Sequence, residues 1–138
     1  MGDRANVVIS SKPLPAGASL KQALDGNIVL YTHWKGYCLM QEVRNALVHA
    51  GNRIGLGDEA YSTRIIVSQI VGDQWNDETG FGLSVGSLCD NSYPIIVMDL
   101  VSKSVLVFDE SSGKLLREST IASVMKMSNQ ECDELHCG

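Results

Sequence analysis

At 138 residues the chain has the size of one domain and can bury one hydrophobic core. Hydrophobic residues at 44% and charged residues at 20% exclude a disordered chain, and no apolar run approaches the roughly 18 residues that would cross a bilayer. A net charge of −5 without a basic run disfavours generic nucleic-acid binding, because little is gained from counterion release.

Taken in order, Ala5 to Ile9 reads as a short first strand rich in Val and Ile. Ser10 to Gly26 is a connection carrying Pro13, Pro15 and Gly17, with room for one helical turn at Leu20 to Leu24. The turn signal Asp25-Gly26-Asn27 feeds the strand-forming run Ile28 to Trp34. Leu39, Val43, Ala46, Leu47 and Ala50 recur at helical spacing, and Gly51 follows as a C-cap. Asp58 is placed to cap a second helix with Tyr61, Ile65, Ile66 and Ile70 on its apolar face and Gly72 as its stop. β-Branched residues crowd this stretch, so a strand from Arg64 to Val71 is the alternative.

Phe81 to Leu88 alternates with small residues as a third strand, and Asp90-Asn91-Ser92 is a turn. Ile95 to Val101 and Ser104 to Phe108 read as a hairpin joined at Ser102-Lys103. Leu115-Leu116 is ambiguous, and Ser119 is a candidate cap for a brief last helix through Met125. The order β-β-α-α-β-β-β predicts an α+β two-layer sandwich: a mostly antiparallel sheet of about five strands with two helices on one face. Residues 1–128 form this single domain, and 129–138 form a polar tail.

If the second strand runs up, one rim of the sheet gathers Arg4, His33, Trp34, Lys35, Tyr37, the 73–79 loop with Trp75, and the Ser102-Lys103 turn. The opposite rim gathers Asp58, Tyr61, Arg64, Asp90 and Asn91, with Arg64 neutralising Asp90. Aromatic faces beside cationic donors suit a planar anionic ligand such as a nucleotide, or a protein partner, so Arg4, His33, Trp34, Tyr37 and Trp75 are the candidate binding residues. The plainer alternative makes Trp34 a cap on the core and Trp75 a loop anchor.

Cys38 with His33 is the one arrangement resembling a nucleophile and base, since a thiol at a helix N-terminus has a lowered pKa. It would support a thiol hydrolase or transferase, but no third residue is evident to orient the His. The four cysteines are expected as thiols. Cys132, His136 and Cys137 do not have a standard zinc spacing, and no metal or cofactor site is predicted. The charge pair Asp3-Arg4 stands where a signal peptide needs apolar residues, and Asn6 stands where a myristoylation motif needs Ser or Thr. Both point to a cytoplasmic protein without a membrane anchor.

The opening Met-Gly-Asp-Arg-Ala-Asn, the segment Leu30-Tyr31-Thr32-His33-Trp34-Lys35-Gly36, Thr63-Arg64-Ile65, Gly80-Phe81-Gly82-Leu83-Ser84 and Asp90 to Val97 resemble a group of small uncharacterised proteins from bacteriophages and bacteria. That group shares such an opening and a Tyr-x-His-Trp-x-Gly segment, and the likeness spans residues 2 to 108. It implies a phage or prophage accessory protein and no particular chemistry. The expected function is therefore non-enzymatic binding of a small anionic ligand or a host protein, in the service of countering a defence system. A self-assembling structural protein, built through strand edges or the rim, is a further alternative.

Overall fold

The computed structural model describes residues 2–138, so Met1 of the opening motif lies outside the described residues. The fold is α+β, built on a six-stranded open sheet that is mostly antiparallel. The strands are β1 (Ala5–Ser10), β2 (Ile28–Thr32), β3 (Phe81–Val85), β4 (Ile95–Asp99), β5 (Ser104–Phe108) and β6 (Leu115–Thr120). Their spatial order is β3-β2-β1-β4-β5-β6. The helices are α1 (Leu20–Leu24), α2 (Leu39–Ala50), α3 (Glu59–Val71), α4 (Ile121–Val124) and α5 (Asn129–Cys137).

β1 and β4 lie at the centre, and every residue of both is buried. This explains their near-continuous runs of Val and Ile, since both faces of a central strand need apolar cover. Ala5, Val7, Ile9, Ile96 and Met98 face the main core. There α2 contributes Leu39, Met40, Val43, Ala46, Leu47 and Ala50, one helical face repeated over three turns. Leu39 and Leu47 are wholly buried, and each such side chain contributes roughly 2 kcal/mol of transfer free energy. α3 packs alongside α2. Asp58 does precede α3, yet its side chain makes no capping bond and instead pairs with Arg53 at 2.8 Å.

The second face of the sheet is not bare, as a two-layer sandwich would leave it. Leu14, Leu20, Ala23, Leu24 and Leu88 pack over Val8, Val29 and Val97 there. The Pro-rich connection is thus a partial third layer. It is fastened by Asp99, whose buried carboxylate accepts the N–H groups of Leu14, Val101 and Ser102 at 2.9, 3.1 and 2.9 Å.

Three further expectations are corrected. β6 is a sixth strand: Leu115–Thr120 is mostly exposed and lacks an apolar alternation, but pairing with β5 holds it extended. Thr120 rather than Ser119 caps α4, accepting from Ser123 N–H at 3.1 Å. The C-terminal segment is a helix rather than a polar tail: Ser128 and Glu131 close a capping box, and Cys132, Leu135 and His136 are buried. Arg117 completes α5 by donating to the carbonyls of Leu135 and His136 at 2.7 and 2.8 Å.

The largest correction concerns direction. β4 runs parallel to β1, pairing Val7 with Ile96 and Ile9 with Met98, so it descends where an ascending strand is expected. After β3 the chain crosses back beneath β2 and β1 before entering β4. Asn6 holds that crossover. It is fully buried within β1, accepts from Cys89 N–H at 3.2 Å, and donates to Cys89 O, Asp90 O and Asn91 Oδ1 at 3.2 to 3.4 Å. Asp90 and Asn91 therefore stand at the upper rim, and Arg64 is not the partner of Asp90. Ser102 and Lys103 move to the lower rim, where the Lys103 stem lies over Gly55.

Candidate functional site

The antiparallel pairing of β1 with β2, which places Ala5 opposite Thr32, sets the residues before β1 beside those after β2. Asp3 N–H donates to His33 O at 2.6 Å, and Gly36 N–H donates to Asp3 O at 2.9 Å. The Asp3 carboxylate then accepts the Tyr37 N–H at 2.7 Å and the Tyr93 hydroxyl at 2.6 Å. That carboxylate and burial together push the Tyr93 pKa up to about 12. The neighbourhood leaves no room for side chains at two glycines. A Cβ on Gly36 would stand 2.5 Å from the Tyr93 ring, and one on Gly2 would stand 2.6 Å from His33 Nε2.

On this frame sit four of the candidate residues. His33 shares a hydrogen bond through Nδ1 with the Tyr31 hydroxyl at 2.8 Å, and its ring meets Trp34 edge to face at 4.2 Å between centroids. Burial raises the pKa of Tyr31, and the nearby charge of Arg4 opposes that shift. Arg4 faces Asp90 at 3.6 Å, an exposed pair worth little by itself. Trp34 is 54% exposed and Tyr37 66% exposed, so Trp34 does not cap the core. Lys35 lies 5.8 Å over the ring of Phe81.

Trp75 is elsewhere. It lines a groove of about 680 Å³ between α3 and β3, with Thr63, Arg64 and Val67 on one wall and Leu83 on the other. The other four candidates take no part in that groove. A second cavity, of about 490 Å³, opens on the opposite face of the sheet, between the 14–19 connection and the floor residues Leu106 and Phe108. Nothing in the local sequence signals it, because its walls are far apart in the chain.

Cys38 and His33 are not assembled as a nucleophile and its base. The Cys38 thiol donates to Lys35 O at 3.7 Å, whereas His33 turns its Nδ1 to Tyr31. Burial pushes the Cys38 thiol up, only partly offset by hydrogen bonding with Tyr37, so the expected lowering at a helix start is absent. A turn of 3-10 helix at Gly36–Cys38 separates His33 from the start of α2.

At the C-terminus the His136 imidazole bonds through Nε2 to Pro94 O at 2.9 Å and lies against the Tyr93 ring. The four cysteines are free. No group of three potential metal ligands is found among the described residues. No described helix is long and apolar enough to cross a membrane.

Asp3, Asn6 and Tyr93 organise the rim, yet none was a candidate from the sequence. Asn6 alone had a local signal, being an amide in an otherwise apolar strand. Comparison with known proteins leaves the site to be read on its own geometry: no family model, no curated protein and no solved structure matches this chain.

Proposed function

We propose that this is a non-enzymatic binding protein whose recognition surface is the upper rim around Trp34, and that its partner is a host protein. The observation that carries this reading is the exposure of Trp34 and Tyr37 on a frame whose polar groups already satisfy one another. Rigid exposed aromatics flanked by Arg make protein hot spots, because they bury large area at a small cost in rotamer entropy. The resemblance to phage proteins supports a setting in the cytoplasm of an infected or lysogenic host, where capture of a defence component is the reading we favour.

One observation favours a second reading, capture of a small planar anion such as a nucleotide. The Arg4–Asp90 contact is long at 3.6 Å and the Arg4 side chain is 37% exposed. The guanidinium therefore keeps N–H groups for a phosphate while a ring stacks on Trp34.

Native mass spectrometry of the protein recovered from its host, before and after denaturation, distinguishes the two. A retained polypeptide supports the first, and a retained mass in the nucleotide range supports the second. In either case the double variant Trp34→Ala, Tyr37→Ala must lose the retained mass while keeping its circular dichroism. A partner that stays bound to that variant places recognition elsewhere and overturns the assignment.

A further inference from the structure

We propose that two copies of this chain associate through β3, pairing antiparallel across a two-fold axis centred on Leu83 to make one continuous twelve-stranded sheet.

The two edges of the sheet are unlike. The β6 edge is protected: it carries Arg117 and Glu118, its register against β5 is irregular, and Arg117 ties it to the end of α5. Charges and bulges of this kind keep an edge from pairing with another chain. β3 has none of these devices. Its sequence is Phe-Gly-Leu-Ser-Val, its register against β2 is regular from Phe81 to Val85, and no other element packs closely on it. Leu83 and Val85 are 53% and 67% exposed.

The backbone shows which groups are free. Gly80 O accepts from His33 N–H, and Gly86 N–H donates to Asn27 O, so the even-numbered positions of this stretch point toward β2. By the alternation of an antiparallel ladder, the N–H and C=O groups of Phe81, Leu83 and Val85 point away from the sheet. A second β3 centred on Leu83 meets these groups in register. Leu83 then pairs with its own copy and Phe81 with Val85 of the other chain, each pair exchanging both backbone bonds.

The side chains fit the same register. Phe81, Leu83 and Val85 share the helix-bearing face, so apolar side chains meet apolar ones across the axis, while Gly82 and Ser84 on the reverse face present no bulk. The Trp75 grooves then lie on either side of the joined strands. Charge selects the antiparallel direction. The loop entering β3 carries Asp73, Asp77 and Glu78. At the other end, Lys21 and Asp25 share a recess with Val85 and Gly86, Lys12 Nζ lies 3.9 Å from where a Cβ on Gly26 would stand, and Glu59 lines the groove beside Ile28, the partner of Val85. Antiparallel pairing sets each acidic loop, beside which Lys35 lies over Phe81, against the partner's mixed end with Lys12 and Lys21, whereas parallel pairing would set acidic loop against acidic loop. The interface is isologous and closes on itself, which favours a dimer over a fibre.

Sedimentation velocity of the full chain over a concentration series tests this, with Leu83→Lys and Val85→Pro as variants. Leu83→Lys places two ammonium groups opposite each other at the axis. Val85→Pro removes an outward N–H and leaves the β2 ladder intact. The wild type is expected to show a monomer–dimer equilibrium. Either variant should weaken association by about 100-fold while its circular dichroism and melting stay native-like. A wild type that remains monomeric at the highest attainable concentration overturns the proposal, as does a dimer that withstands both substitutions. A monomer that holds an unrelated chain only when Leu83 is intact also overturns it, by assigning the edge to another partner.

Discussion

Asp3 and Tyr93 lie 90 positions apart in sequence, and the Asp3 carboxylate accepts the Tyr93 hydroxyl at 2.6 Å. The bond joins the entry to β1 with the entry to β4, two strands that start side by side at the upper rim because they run parallel. Replacing Tyr93 with Phe should cost about 1–2 kcal/mol in chemical denaturation, the range for a bond to a charged acceptor that regains some water when freed. The folded Tyr93 pKa is raised to about 12. The unfolded chain therefore releases this proton first, and the bond's stabilisation is present below pH of about 10 and fades as pH rises toward about 12. In an ultraviolet titration, Tyr93→Phe should remove a late tyrosine ionisation at a pH of about 12.

Gly36 sits between Tyr93 and the Asp3 carbonyl, with a notional Cβ at 2.5 and 2.7 Å from them. Gly36→Ala should destabilise by about 1–3 kcal/mol through overpacking, and the rim should loosen with it. Guanidinium melts give the cost, and Trp34 fluorescence, in a Trp75→Phe background, reports the rim. An unchanged midpoint would show that the Tyr93 ring moves aside freely.

Asn6→Ala removes the amide that holds the crossover at Cys89, Asp90 and Asn91. A loss of roughly 2–3 kcal/mol is expected, since buried backbone groups are left unpaired. Hydrogen exchange should quicken at Cys89 before it quickens in the centre of β4. Equal protection at Cys89 in the variant would count against this pinning role.

His136 is buried against Pro94 and Tyr93, with Arg117 and Asp133 nearby. Burial lowers its pKa below the ordinary 6.5, with the Pro94 bond opposing that shift. The unfolded state therefore binds the proton more readily, so this contribution is complete above about pH 6.5 and is lost as pH falls through the depressed folded value. Denaturation midpoints measured from pH 8 to pH 5 should fall more steeply for the wild type than for His136→Gln. Parallel curves would remove His136 as the cause.

The local parts of the fold were legible. α2 announces itself by Leu39, Val43, Ala46, Leu47 and Ala50, and β2 by an unbroken run of strand formers. Arg4, His33 and Trp34 could be placed on one rim because antiparallel pairing of β1 with β2 across the 11–27 connection is both the expected arrangement and the observed one. The direction of β4 was not legible, since Asp90-Asn91-Ser92 reads as a reversal when it belongs to a crossover. What decides it is Asn6, whose partners are more than 80 positions away. Trp75 was assigned by its loop, and a loop does not say which way its side chain falls. β6 escaped because pairing with β5, rather than its own pattern, holds it extended, whereas α5 carries a local Ser128/Glu131 capping box that went unread, and its packing against α2 and Arg117 has no local signal.

The β1/β4 ladder has a consequence for how the chain can be divided. It is the one parallel pairing in the sheet, and it joins two antiparallel meanders, β1-β2-β3 within residues 5–85 and β4-β5-β6 within residues 95–120. A cut in the crossover severs neither meander and leaves both sides of that seam intact. Two fragments so produced carry complementary apolar edges, and they should find each other and rebuild the native molecule without a covalent link.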